Sequence, residues 1–244
     1  MNINTHSVIG DIVANNYKTA EVFRSYGIDF CCKGNRSLMD LSASRKINLD
    51  RLIEDLNQNM GNSSSSAPDF QSWPLDQLAD YIESKYHRYI EETIPILAEY
   101  LTKVCKVHGH GYPELHKIQE IFTESSSDLL YHMSKEEKIL FPAIRNMISN
   151  LNHGLPFRPP MFGSVRNPIH VMMEEHTTEG GRYSEIAMLT NGFSPPPNAC
   201  NTFIVTYALL KEFEEKLHEH IHLENNILFP GAIKYEDNMT NHPN

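Results

Sequence analysis

Apolar residues recur at helical spacing along most of this chain, and no stretch sustains the alternation of a half-buried strand. Val8, Ile9, Ile12 and Val13 make one short apolar face. Leu49, Leu52, Ile53 and Leu56 repeat at i, i+3, i+4, i+7 behind Asn48, a suitable N-cap. Gly27 is placed to close a helix that starts near Thr19. Further on the elements lengthen. Pro74 opens a helix whose stripe runs through Leu75, Leu78 and Ile82 to Leu97, Leu101 and Val104, with Pro95 placed to kink it. Gly109, Gly111 and Pro113 end it, and a second helix follows from about Glu114 to Met147 on Leu115, Ile118, Ile121 and Phe122. A crossover rich in breakers (Gly154, Pro156, Pro159, Pro160, Gly163, Pro168) leads to a third helix near Ile169 to Thr190. Ser194-Pro195-Pro196-Pro197 separates it from a fourth, roughly Thr202 to Ile233. Two hairpins joined by a longer crossover predict an all-α protein, a four-helix bundle preceded by a small helical domain.

The run Asn62 to Pro68 lacks apolar periodicity and is rich in serine, which marks a linker. The expected organisation is a small helical domain at 1–61, a linker at 62–72 and the bundle at 73–244. About 60 residues make a marginal independent core, so the small domain is expected to lean on the bundle or on another subunit. With 244 residues and a formal charge of −10, the chain has no general basic surface for phosphates, which argues against nucleic acid as a partner. No apolar run approaches the ~20 residues of a membrane span, and Met1 to Gly10 has no signal-peptide pattern. Four cysteines, two of them adjacent, are no disulfide scaffold, and the expected compartment is the cytoplasm.

Histidine changes the picture, because 11 of the 13 lie between His87 and His222. His132-x-x-x-Glu136-x-x-Ile139-Leu140-Phe141-Pro142 and His220-x-x-x-Glu224-x-x-Ile227-Leu228-Phe229-Pro230 share six residues at the same offsets. Residues four apart on a helix share a face, so each copy presents a nitrogen and a carboxylate together. One such pair alone reads as a solvated surface contact; two with the same apolar ending do not. His87 lies 45 residues before His132, and His176 lies 44 before His220. In antiparallel hairpins of equal arms, His87, His132, Glu136, His176, His220 and Glu224 therefore converge at one level. Four imidazoles and two carboxylates in an apolar bundle need a counter-ion, and metal supplies it. A mixed nitrogen and oxygen set without cysteine suits iron, with manganese and zinc as alternatives. Two shared carboxylates suit a pair of ions, and a His-rich set points to small-ligand chemistry.

His108 is 21 residues beyond His87, about 32 Å along a continuous helix, which places it at the hairpin tip and away from this level. His110, His116, His153, His170, His218 and His222 read as surface or packing residues. Cys31 and Cys32 are adjacent, which strains a disulfide between them, and read as free thiols, sulfur ligands to a transient species, or inert core residues. Cys105 and Cys200 read as packing residues.

Two segments carry a resemblance. Gly27-Ile28-Asp29-Phe30-Cys31-Cys32-Lys33-Gly34 is similar to the N-terminal Cys-Cys motif of the repair-of-iron-centres family, and the two His-x-x-x-Glu segments resemble its hemerythrin-like domain. The resemblance spans nearly the full length. It implies a non-haem centre of two iron ions, bridged by Glu136 and Glu224 and by an oxo group, with His87, His132, His176 and His220 as further ligands. It implies repair of iron-sulfur clusters damaged by nitric oxide or oxidants, with the damaged cluster proteins as partners, in a bacterial stress response and often as a homodimer. Cys31 and Cys32 would then carry iron or a nitrosyl group, visiting the bundle on their tether. The alternatives are an oxygen or nitric oxide carrier or sensor, which would not need the thiols, and a nitric oxide reductase, which would need an electron donor.

Overall fold

A computed structural model describes residues 3–44, 47–61, 68–155 and 158–241, and the following statements concern those residues. The serine-rich 62–67 and Pro156 of the crossover lie outside them. Four short helices come first: α1 (Ile9–Asn15), α2 (Thr19–Ser25), α3 (Leu38–Ser44) and α4 (Leu49–Gly61). Part of the expected linker is structured, since Phe70–Ser72 forms a single 3-10 turn.

The bundle is built from four long helical runs. The first joins α5 (Leu75–Ile82) to α6 (Arg88–His108), the second α7 (Glu114–Lys135) to α8 (Phe141–Asn152), the third is α9 (Arg166–Leu189), and the fourth joins α10 (Asn201–Leu223) to α11 (Phe229–Asn241). Pro95 lies inside α6 without ending it, so His108 is carried to the far tip, where its Nε2 meets Cys200 Sγ at 3.2 Å. The second and fourth runs outlast their expected ends at Met147 and Ile233.

The joints are one-turn π-helices, Glu83–His87, Glu136–Leu140 and Glu224–Leu228. A π-turn is an α-helix with one residue too many, which widens the backbone and re-aims side chains. Two of the joints have a visible cause. Pro142 and Pro230 lack an N–H and would crowd the carbonyl four residues back, Lys138 or Asn226, in a regular α-helix. The wide turn just before each proline relieves that crowding. The first joint is followed by no proline, and nothing in the structure explains it.

The apolar interior falls into two clusters. Leu78, Ile82, Leu140, Phe141, Ile169, Leu228 and Phe229 fill one end of the bundle. Ile90, Leu101, Leu129, Tyr183, Phe213 and Leu217 fill the other, in one body with Ile9, Ile12, Phe23, Phe30, Leu38, Leu52 and Leu56 of the short helices. The small N-terminal unit thus finishes its core on the bundle, as a unit of its size needs. Arg24 pairs with Glu215 at 3.3 Å across this junction. Phe30 packs edge-on against His218 and His222, ring centroids 6.1 and 6.0 Å away. Among the described residues, no helix is long and apolar enough to cross a membrane.

Candidate metal centre

Between the two apolar clusters lies a polar layer. His132, His176 and His220 project into it from α7, α9 and α10, while His87, Glu136 and Glu224 come from the three π-turns. All six are between 0 and 3% exposed. They form two groups, His87, Glu136, His220, Glu224 and His132, Glu136, His176, Glu224, whose donor atoms lie within 4.8 Å of one another. Both carboxylates belong to both groups. His87 and His220 face each other with Nε2 atoms 3.2 Å apart, and His132 and His176 do so at 3.0 Å. The Nε2 atoms approach Glu136 and Glu224 at 2.9 to 3.9 Å, yet all four carboxylate oxygens are buried without a hydrogen-bond partner.

Buried carboxylate oxygens without donors are costly, and imidazoles aimed nitrogen to nitrogen have no hydrogen bond to make unless one is protonated. A cation between them resolves both. The outer ring atoms support that reading. His87 Nδ1 meets Glu137 Oε1 at 3.0 Å, His132 Nδ1 meets Glu175 Oε2 at 2.6 Å, and His176 Nδ1 meets Asn225 Oδ1 at 2.9 Å. Asn225 donates its Nδ2 to the carbonyl of Cys31 at 3.3 Å, so its oxygen faces His176 and takes the Nδ1 proton. In each case the acceptor fixes the proton on Nδ1 and leaves the Nε2 lone pair pointing inward, as a metal-ligating histidine requires. His220 has no Nδ1 partner; its ring stacks on Tyr86, with centroids 6.1 Å apart and planes at 9°.

Electrostatics point the same way. Burial works against a charge on His132, but Glu136 and Glu175 raise its pKa to about 10. Burial likewise opposes a charge on His87, where Glu224, Glu136 and Glu137 overcome it and leave the pKa raised. At His220 burial prevails and the pKa is lowered. Burial would raise Glu224, but His220, His176 and His87 hold it well below the usual carboxylate range. The carboxylates demand positive charge, and a divalent cation can displace the imidazole protons that otherwise supply it.

The structure brings together all six residues read from the sequence. Of the others, His222 is buried on the N-terminal unit and accepts from Asn226 Nδ2 at 3.0 Å. Glu137, Glu175 and Asn225 escaped the sequence reading; each stands one residue from one of the six, the signal that could have found them.

Cys31 and Cys32 are not held off on a tether. Asp29 Oδ1 accepts their backbone N–H groups at 3.2 and 2.9 Å, and the Cys32 thiol reaches the backbone carbonyl of His176 at 3.2 Å. Gly180 leaves room for this approach, since a Cβ there would stand 3.1 Å from Cys32 Sγ. Both thiols are free, and the hydrogen bond to Cys32, with burial, raises Cys31 well above the usual thiol range.

A four-helix bundle with two interior His/Glu sets sharing their carboxylates is the architecture of a hemerythrin-like cation-binding domain. Residues 78–232 match the hemerythrin HHE cation binding domain, and residues 5–60 match a domain of unknown function (DUF542). Similar proteins include the "Iron-sulfur cluster repair protein ScdA" of Staphylococcus haemolyticus, 32% identical over 227 residues, which are 93% of this chain and 98% of the relative. The "Iron-sulfur cluster repair protein YtfE" of Pectobacterium atrosepticum is 33% identical over 228 residues, 93% of this chain and 97% of its own. That of Yersinia pestis is 35% identical over 220, 90% and 93% respectively. The chain belongs to the family of these proteins, a DUF542 domain followed by a hemerythrin HHE domain.

Proposed function

We propose that this protein holds two iron ions in the polar layer and restores iron-sulfur clusters damaged by nitrosative or oxidative stress, in the cytoplasm. One observation carries the reading: two buried sets of two imidazoles and two carboxylates, with Glu136 and Glu224 common to both. His87 and His220 would hold one ion, His132 and His176 the other, and the two carboxylates would bridge them. Four side-chain donors per ion leave coordination open for a diatomic such as nitric oxide or dioxygen, and leave iron held loosely enough to donate. The bound ions would supply Lewis acidity and one-electron chemistry. The chain's own share is to fix the imidazoles through Glu137, Glu175 and Asn225, to keep the layer dry between two apolar clusters, and to hold a thiol pair against His176. That thiol pair supports repair over simple gas carriage, which needs only the bundle, and the names of the relatives support it independently.

Anaerobically purified protein should contain about two irons per chain, with an electronic spectrum that changes when nitric oxide is added. Zinc, or no metal after reconstitution with ferrous iron, would refute the proposal. The Cys31→Ala, Cys32→Ala double variant should keep its iron and lose cluster repair; repair that persists would remove the thiols from the function.

A further inference from the structure

The thiol pair does more than lie beside the polar layer. Asp29 Oδ1, Cys31 Sγ and Cys32 Sγ form a third cluster of donors within 4.8 Å of one another. Cys31 Sγ lies 3.4 Å from Asp29 Oδ1 and 3.8 Å from Cys32 Sγ. Metal–sulfur bonds of about 2.3 Å and metal–oxygen bonds of about 2.0–2.2 Å span tetrahedral edges of roughly 3.8 Å between sulfurs and roughly 3.5 Å between sulfur and oxygen. Two of the three separations thus match edges of a tetrahedral site, and the third lies within 4.8 Å. Asp29 Oδ1 is held in place by the two backbone N–H groups and the Cys31 thiol that it accepts. Asp29 and Cys31 line a cleft of about 1000 Å³ between the N-terminal unit and α9 and α10, which gives an ion a way in.

We propose that Asp29, Cys31 and Cys32 form a separate site for one divalent transition-metal ion of borderline softness, the class that includes ferrous iron. Two thiolates with one carboxylate favour such an ion over magnesium or calcium. The site adjoins one half of the polar layer only. Cys32 Sγ touches the His176 carbonyl, and Asn225 bridges the Cys31 carbonyl to the His176 ring, whereas His87 and His220 make no such link among the described hydrogen bonds. The site therefore adjoins the His132–His176 set, from which it would take its ion. For the origin of its ion this rests on the two-iron reading above. Binding is balanced without redox: two metal–sulfur bonds and one metal–oxygen bond form as water leaves the ion, each thiol gives its proton to solvent, and no electron moves.

Metal-free protein titrated anaerobically with cobalt(II) provides the test, because thiolate-to-cobalt charge transfer absorbs in the near-ultraviolet and imidazole or carboxylate ligation does not. Wild type should bind cobalt at the bundle without that band and one further equivalent with it, releasing about two protons in that phase. Cys32→Ser should lose the band and keep the bundle equivalents, which also shows that it folds. Asp29→Asn should keep both thiols and weaken the band-forming phase about tenfold or more. Two equivalents bound with no thiolate band would overturn this site and spare the two-iron reading. A thiolate band with no bundle equivalents would do the reverse. An unchanged affinity in Asp29→Asn would overturn the three-donor assignment.

Discussion

At the scale of single residues, the outer partners of the imidazoles deserve the first mutations. Glu175→Gln keeps the shape and removes the carboxylate that fixes His132 and that Lys135 also engages. Metal affinity should fall about 10- to 100-fold with the fold intact, as equilibrium dialysis against a chelator would measure. Glu214 offers a test of pH dependence away from the metal layer. Burial raises its pKa from 4.5 to about 7, so the folded protein binds its proton more tightly than the unfolded chain. Its contribution to stability is complete below pH 4.5 and is lost as pH rises through about 7. Glu214→Gln should therefore flatten the denaturant midpoint across that window and raise it at pH 8, whereas an unchanged slope would place the titration elsewhere. The six residues of the polar layer were legible in the sequence because two pairs four apart recur with the same apolar ending. Glu137, Glu175 and Asn225 were not, because a polar residue beside a ligand looks like any solvated position until the fold shows what it faces.

At the scale of elements, the helical stripes were plain, but the π-turns were not, since a single added residue shifts the phase of a stripe without breaking it. Pro142 and Pro230 mark two of them in retrospect. Deleting Lys138, which lies inside the second π-turn, should remove that turn's extra residue and re-aim Glu136. Circular dichroism should show helix content retained while binding at both metal sets weakens, since Glu136 belongs to both; loss of all helix would mean that the turn is needed for folding. The approach of the N-terminal helices is equally tight. A Cβ at Gly10 would lie 2.4 Å from Asn226 Oδ1, and one at Gly34 2.4 Å from the Phe30 carbonyl and 2.7 Å from that same Oδ1. Gly10→Ala should cost about 1–3 kcal/mol in chemical denaturation, as overpacking does. A cost near zero would show that Asn226 can swing aside.

At the scale of the whole molecule, the polar layer divides the hydrophobic interior in two. Metal removal should therefore loosen the end built from α5, α8 and α11 first, with amide exchange rising there before it rises around Leu101 or Phe213. Uniform loosening would instead mark one cooperative unit. This division could be foreseen from the equal hairpin spacings; the seat of the thiols could not, because it joins residues 144 and 194 apart, Cys32 to His176 and Cys31 to Asn225, with no periodicity to announce it. The membership of the two metal sets carries a last consequence. Each set takes one histidine from the first hairpin and one from the second: His87 with His220, and His132 with His176. Neither hairpin folding alone owns a complete set, so the bundle offers an ion no complete His/Glu site until both have met. Metal capture by the bundle would then report that both hairpins have met, and a chain stalled halfway would leave the polar layer empty.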